Sequence, residues 1–460
     1  MSIFILSLNS GNGKVMKEEF LHFVWKNRQF DQEKFVTTDG NPIEVINPGD
    51  YNRDSGPDFF NARLLIGDTL WAGNVEIHIK SSSWDMHGHH SDRSYDNVIL
   101  HVVNEYNCDA FTSSGLKIET AVMNWDIRLY EKYQAYLDAP GTIACQADLP
   151  LVDYFHIRHW ITSVAAERLE LKAQKIRTLL KELRNDWEET LYRLLTRYWG
   201  MNVNAEAFFI LATRLPLKII KKHSDNLVQV EALLFGQAGM LEEGLFRDAP
   251  EDEYHRLLCR EYRVLARKYS LKPVDEWMWK YHRMRPSNFP TVRISQLAAL
   301  LTSREHLFAS IREADSIDSL SEIFCAPASP YWNSHYKFGM VTSSPSVKRV
   351  GQGLISALII NCVVPLIFLY GRELSNQLYC DRALKISEDI PPERNRVTRE
   401  WEAAGIIPLS AFESQGLIGL SSTMCKIRSC LNCQIGSKLI SLGKDSDPRS
   451  KMVMEGPANS

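Results

Sequence analysis

The sequence has no surplus of positive charge: 53 Lys and Arg stand against 56 Asp and Glu, a formal net charge of −3. That excludes a protein that coats nucleic acid through its overall charge, and leaves only local basic patches. It also lacks a paired set of cysteines. The nine are odd in number and unevenly spread, which favours reduced thiols or a metal site over a disulfide framework. No P-loop, dinucleotide fingerprint or Ser-His-Asp pattern is present, so the common nucleotide-cradling and acyl-transfer signatures are excluded. No repeat recurs at a fixed period. Residues 3–7 are mostly apolar, but the run is short and has no basic flank, so no secretory signal and a cytoplasmic location are expected. The one long uncharged run, 350–371, is broken by Ser356, Asn361 and Pro365. It reads as a buried core helix over a membrane span, and no membrane partner is expected.

What is present is ordinary globular composition, 45% hydrophobic and 24% charged, in a chain of 460 residues. That is enough for two or three domains with sizeable cores. Residues 1–15 are expected to be a disordered tail, with Met16 as the natural start, because a polar Asn- and Gly-rich stretch precedes a well-formed amphipathic helix over 17–30. Strands are predicted over 41–48, 59–66, 71–81, 98–103 and 116–122. The third alternates, with Val75, Ile77 and Ile79 on one face and Glu76, His78 and Lys80 on the other. From residue 156 the period becomes helical. Helices are predicted over 156–184, 204–215, 229–238 and 252–270, with another after Asn185 or Asp186 as N-cap and ending at Gly200. The fold class expected is an α+β domain with a small mixed sheet over 16–140, then an all-α region over 150–440. Residues 441–460 are expected to be a polar tail.

Five of the thirteen histidines, His78, His87, His89, His90 and His101, fall within 24 residues. Among them lie Lys80, Asp85, Asp92, Tyr95, Asp96 and Asn97, with Glu76 just upstream and Asp58 opening the preceding strand. Two carboxylates on neighbouring strands can share a hard cation such as Mg²⁺ or Mn²⁺, and a lysine beside them can stabilise a developing oxyanion. Those are the parts that metal-assisted phosphodiester cleavage needs. The competing readings are a solvated strand face for Glu76, His78 and Lys80, and a core histidine for His101. His87, His89 and His90 form an ordinary surface loop, a transition-metal site, or contacts to substrate, together with Asp92, Tyr95 and His101.

Pro57-Asp58, followed eighteen residues later by Glu76 and then His78 and Lys80, resembles the PD…(D/E)xK signature of restriction-endonuclease-like phosphodiesterases. The resemblance implies Asp58 and Glu76 as metal ligands, with Lys80 or His78 assisting the attacking water and Glu18 or Glu19 as an accessory acid. The sequence departs from it in having His at position 78, where the motif has Lys. Trp84…His87-Gly88-His89…Asp92…Tyr95-Asp96-Asn97 through Val103, with Gly236-Gln237-Ala238-Gly239 and the terminal cysteine segment, resembles a bacterial family known only as a domain of unknown function. That second resemblance covers nearly the whole chain.

Cys425, Cys430 and Cys433 form C-x4-C-x2-C, either free thiols in a helical hairpin or a thiolate set for Zn²⁺ or an iron–sulfur cluster, with Cys380 as a candidate fourth ligand. Basic groups recur at Arg158, Arg168, Lys172, Lys175, Arg177, Lys181 and Arg184, at Lys218, Lys221, Lys222 and His223, and in a rigid loop carrying Arg283, Arg285, Asn288 and Arg293. They either track phosphates or form solvated faces and loop pins. The functional expectation is a metal-dependent nuclease-like protein acting on nucleic acid. The alternatives are a non-catalytic nucleic-acid or protein binding module, and a transition-metal site on the 87–90 loop.

Overall fold

The computed structural model describes residues 16–241 and 252–444. The expectations for residues 1–15, including the start at Met16, and for 445–460 lie outside the described residues. The chain divides into two units, Met1–Trp160 with Ser421–Ser460, and Ile161–Leu420. The C-terminal segment therefore belongs with the N-terminal domain, a return that the contiguous division at 140–150 did not include. The expected tail is also shorter at its start, since Gln434–Ser441 is helical and Leu442–Lys444 continues as a 3₁₀ turn.

The first unit opens with α1 (Glu18–Lys26), whose Phe20, Leu21, Phe23, Val24 and Trp25 are buried. A mixed sheet follows: β1 (Ile43–Asn47), β2 (Asp50–Tyr51), β3 (Phe59–Ile66), β4 (Thr69–Lys80), β5 (Val98–Glu105) and β6 (Thr120–Val122). Its order is β1-β3-β4-β5-β6, with β2 beside β3. β1, β3 and β4 run antiparallel, while β4, β5 and β6 run parallel. A parallel pair cannot be joined by a tight turn. The 81–97 crossover between β4 and β5 therefore has to travel the length of the sheet, and it carries the histidine-rich stretch. It is made of α2 (Ser83–Met86) and two 3₁₀ turns, His89–Ser91 and Arg93–Tyr95.

Gly73 allows the parallel strands to meet. A Cβ there would stand 2.4 Å from Ile99 Cγ2 and 2.7 Å from the Asn97 carbonyl, so only glycine fits. The crossover is held from within by a small cluster of Trp84, Tyr95, Val98, Ala110 and Ile118, all buried. A further helix, α3 (Ile127–Asp138), closes this part of the unit.

The second unit is helical as expected, apart from a two-stranded hairpin, β7 (His335–Lys337) with β8 (Met340–Val341). Asp186 caps the helix Trp187–Trp199, and Gly200 ends it. The uncharged run lies in one helical stretch, Gln352–Glu373, long and apolar enough to cross a membrane, but 67% of its most apolar window is buried within the protein. Several of the basic groups, read as either phosphate-tracking or solvated, are engaged internally. Lys172 bonds Asn361 and Gln415 at 2.8 and 2.7 Å, and Arg168 bonds Gln415 at 2.9 Å. Arg293 is buried against Asn288 and Gln296, so it pins its loop. His223 is tied to Gln229 and Tyr269.

Candidate metal centre

The period of β4 puts Glu76 and His78 on one face, and both are buried, at 5% and 1% exposure. The crossover then folds His87 and His89 over them. Ligating atoms of His78, His87 and His89 all lie within 4.8 Å of one another. His78 Nε2 is 3.1 Å from His87 Nδ1. Glu76 Oε1 is 3.5 Å from His78 Nε2 and 3.3 Å from His89 Nε2. Nitrogens held 2.0–2.1 Å from a tetrahedral ion stand about 3.3 Å apart, so these separations are those of a ligand set. His89 Nε2 is buried and, although Glu76 stands near, makes no well-formed hydrogen bond, a costly state that a bound cation relieves. His87 is the exposed member and marks the side from which solvent reaches the site.

The surroundings fix each ligand. His101 is fully buried on β5, and its Nε2 lies 2.8 Å from His78 Nδ1. When Nδ1–H donates to His101, Nε2 of His78 presents its lone pair to the site. His89 stacks on Tyr95 with ring centroids 3.8 Å apart, and Trp84 packs edge-on to His89 and tilted against His101. Burial is the main reason that His78 is pushed down to about 2 and His101 to about 3, with neighbouring imidazoles adding to the effect. Both are thus neutral, as a metal-ligating imidazole must be.

Asp58 and Glu76 come together as expected. The Asp58 backbone N–H donates to Glu76 Oε2 at 3.0 Å, and Asp58 Oδ2 accepts from the Ile77 N–H at 2.9 Å. Asp58 also pairs with His22 of α1, Nε2 to Oδ2 at 3.2 Å. Burial works to lower the pKa of His22, but the Asp58 carboxylate prevails and it stands raised. Glu76 is raised as well, chiefly by burial and further by the charge of Asp58, against the opposing pull of His89 and of the Asp58 N–H.

Other expected site residues fall elsewhere. Lys80 shares the face of Glu76, but its ammonium pairs with Glu105 on β5 at 3.3 Å, and both side chains are half exposed. Its ammonium is thus engaged by Glu105, and no bond to Asp58 or Glu76 is formed among the described residues. His101 is sealed from solvent and Tyr95 is buried, so neither presents a surface for the substrate contact expected of it. Asp92 caps the turn Arg93–Tyr95 by accepting from the Ser94 N–H. Glu19 bonds Asn432, and the α1 residue at the carboxylates is His22. The histidine was not legible as a site residue, because nothing local marks which helical residue a distant strand will meet. Its place one turn after Glu18 was the only signal.

A sequence model of a protein family of unknown function, DUF2851, matches residues 18–396. The chain belongs to the DUF2851 family. No curated protein and no solved structure matches it. The match covers α1, the whole sheet and the histidine crossover, so the candidate centre lies within the part shared with this family. It does not extend to the cysteine segment at 425–433. These comparisons give no support to the restriction-endonuclease-like resemblance.

Proposed function

We propose that the first unit of this DUF2851 protein is a divalent-metal-dependent phosphodiesterase, with nucleic acid as its substrate class. The observation that carries the reading is the convergence of His78, His87 and His89 within 4.8 Å, with Glu76 against two of them. Three imidazoles beside one carboxylate favour Zn²⁺, Fe²⁺ or Mn²⁺ over Mg²⁺, which prefers oxygen ligands. Such an ion supplies a Lewis acid for a phosphoryl oxygen and acidifies water.

The chain's own residues do the rest. Glu76 keeps Oε2 fixed on the Asp58 N–H and offers Oε1 beside His78 and His89, where it takes the proton of the attacking water. Its raised pKa suits a group that must accept a proton and then release it. His101 holds the ring of His78 in place, and Asp58 with His22 ties α1 and the start of β3 to β4. The choice of a phosphodiester rests on the Pro57-Asp58…Glu76 pattern together with the approach of those two residues, where Glu76 takes the Asp58 N–H and Asp58 the Ile77 N–H.

The experiment is cleavage of single- and double-stranded DNA and RNA by the full chain with Zn²⁺, Mn²⁺, Fe²⁺ or Mg²⁺, each with and without chelator. Chelator-sensitive cleavage that Glu76→Gln abolishes supports the proposal. Absence of cleavage across the panel by protein shown to carry its ion overturns it in favour of a binding module. In that reading Glu76 closes the coordination shell, as in structural sites.

A further inference from the structure

Cys380, the fourth ligand expected from spacing, belongs to the second unit, on the helix Gln377–Asp389, with its thiol directed at the Phe368 carbonyl. Within the first unit the cysteine segment lies beside Cys145. Arg428, between Cys425 and Cys430, donates to the carbonyls of Ala139, Gly141 and Thr142 at 2.6–3.0 Å. That fastens the segment to the strand of chain just before Cys145. Cys145 stands at the position just before the turn Gln146–Leu151, and Cys433 just before the helix Gln434–Ser441, two elements that pack on each other. Gly436 permits the close approach, since a Cβ there would stand 2.5 Å from the Cys430 carbonyl. Cys145, Cys430 and Cys433 are each 8% exposed.

We propose that Cys145, Cys425, Cys430 and Cys433 are the four ligands of an iron–sulfur cluster, which fastens the returning C-terminal segment to the N-terminal unit. Two features favour this over four idle thiols. Although burial raises the Cys433 thiol, the backbone N–H groups of Gly436 and Ile435 and the Trp160 indole oppose that rise, polar groups of the kind that surround a ligating thiolate. The thiols also lie within electrostatic reach of one another: Cys433 and Cys430 act on Cys145, and Cys433, Cys145 and Cys430 act on Cys425. Bringing four such groups together as thiolates requires a compensating cation. The guanidinium of Arg428 is directed at three carbonyls.

Spacing chooses between metals. Among the described residues no three of these sulfurs lie within 4.8 Å of one another. Thiolates sharing one zinc at about 2.3 Å would stand about 3.8 Å apart. In a [2Fe–2S] cluster no more than two thiolates share an iron, and in a [4Fe–4S] cluster each takes its own, so the four sulfurs spread farther apart than around one zinc.

The test is anaerobic purification of the full chain, with iron and acid-labile sulfide counted together so that an ion on the histidines does not contribute. Iron and sulfide in equal number, about two of each per chain for a [2Fe–2S] cluster or about four of each for a [4Fe–4S] cluster, with the visible absorption of thiolate-ligated iron, are expected for a cluster held by four cysteines. Cys145→Ser should lose it, while Cys380→Ser and the exposed Cys325→Ser should keep it. Anaerobic alkylation of the wild-type chain, mapped by mass spectrometry, reads the ligands without any variant: iron chelation should unmask these four cysteines together. Zinc without sulfide, loss of the cluster in Cys380→Ser but not Cys145→Ser, or unmasking of a different set would each overturn the proposal.

Discussion

His78 Nδ1 and His101 Nε2 are 2.8 Å apart inside the parallel pair β4–β5, both rings buried. This contact orients the other nitrogen of His78 toward His87 and Glu76. Partners of this kind set the affinity of the ligand they hold. His101→Ala should therefore weaken metal binding by about 10–100-fold. Calorimetric titration with Zn²⁺ and Mn²⁺ checks this, and unchanged affinity in a folded variant would remove His101 from the centre.

The same burial makes the metal-free fold acid-sensitive. His78 and His101 are held far below the ordinary histidine value, burial being the first cause in both. The unfolded chain takes up their protons near pH 6.5, whereas the fold resists protonation until about pH 3 and below. Stability is thus fully present above pH 6.5 and declines as pH falls below it, by up to about 1.4 kcal/mol per pH unit for each group. Urea midpoints of the metal-free chain at pH 7.5 and 5.5 should show the loss. A midpoint that rises on acidification would contradict the assignment.

Much of this site was legible. The alternation over 71–81 placed Glu76 and His78 on one face, and the strand 59–66 appears with the expected bounds. The density of histidines marked the crossover. Period, however, gives the face of a side chain and not its reach, which is why Lys80 was misassigned: one pleat further along, it meets Glu105 and solvent. Contacts made by chain return were invisible. His22 meets Asp58 across a helix–strand junction, and Cys145 meets a segment some 280 residues later, where sequence spacing pointed to Cys380. The mixed sheet followed by helices was readable from the change of period, while α3 and the β7–β8 hairpin carried too little pattern to be recognised.

Lys80 supplies a contrast between the sequence motif and the structure. A surface pair such as Lys80–Glu105 contributes at most about 1 kcal/mol. Lys80→Ala should leave metal affinity and cleavage unchanged, with a Tm close to wild type. A large loss of cleavage at full metal occupancy would restore the motif lysine and displace the histidine reading.

Glu76 separates proton transfer from metal binding. Glu76→Gln preserves shape and removes the base, so cleavage should fall by about 10²–10⁴-fold while the three imidazoles retain the ion. Cleavage rates and metal content measured on one preparation decide it. Loss of the ion together with activity would make Glu76 a ligand in place of a base.

The most direct measurement is the transition-metal content of the purified full chain, compared with His87→Ala. His87 is exposed, so its removal should change the stability of the metal-free protein by no more than about 0.5 kcal/mol. The account predicts one equivalent of Zn²⁺, Fe²⁺ or Mn²⁺ in wild type, independent of acid-labile sulfide, and its loss in His87→Ala with the fold intact. Equal metal content in the two proteins, or no such ion in wild type after incubation with all three, would contradict it.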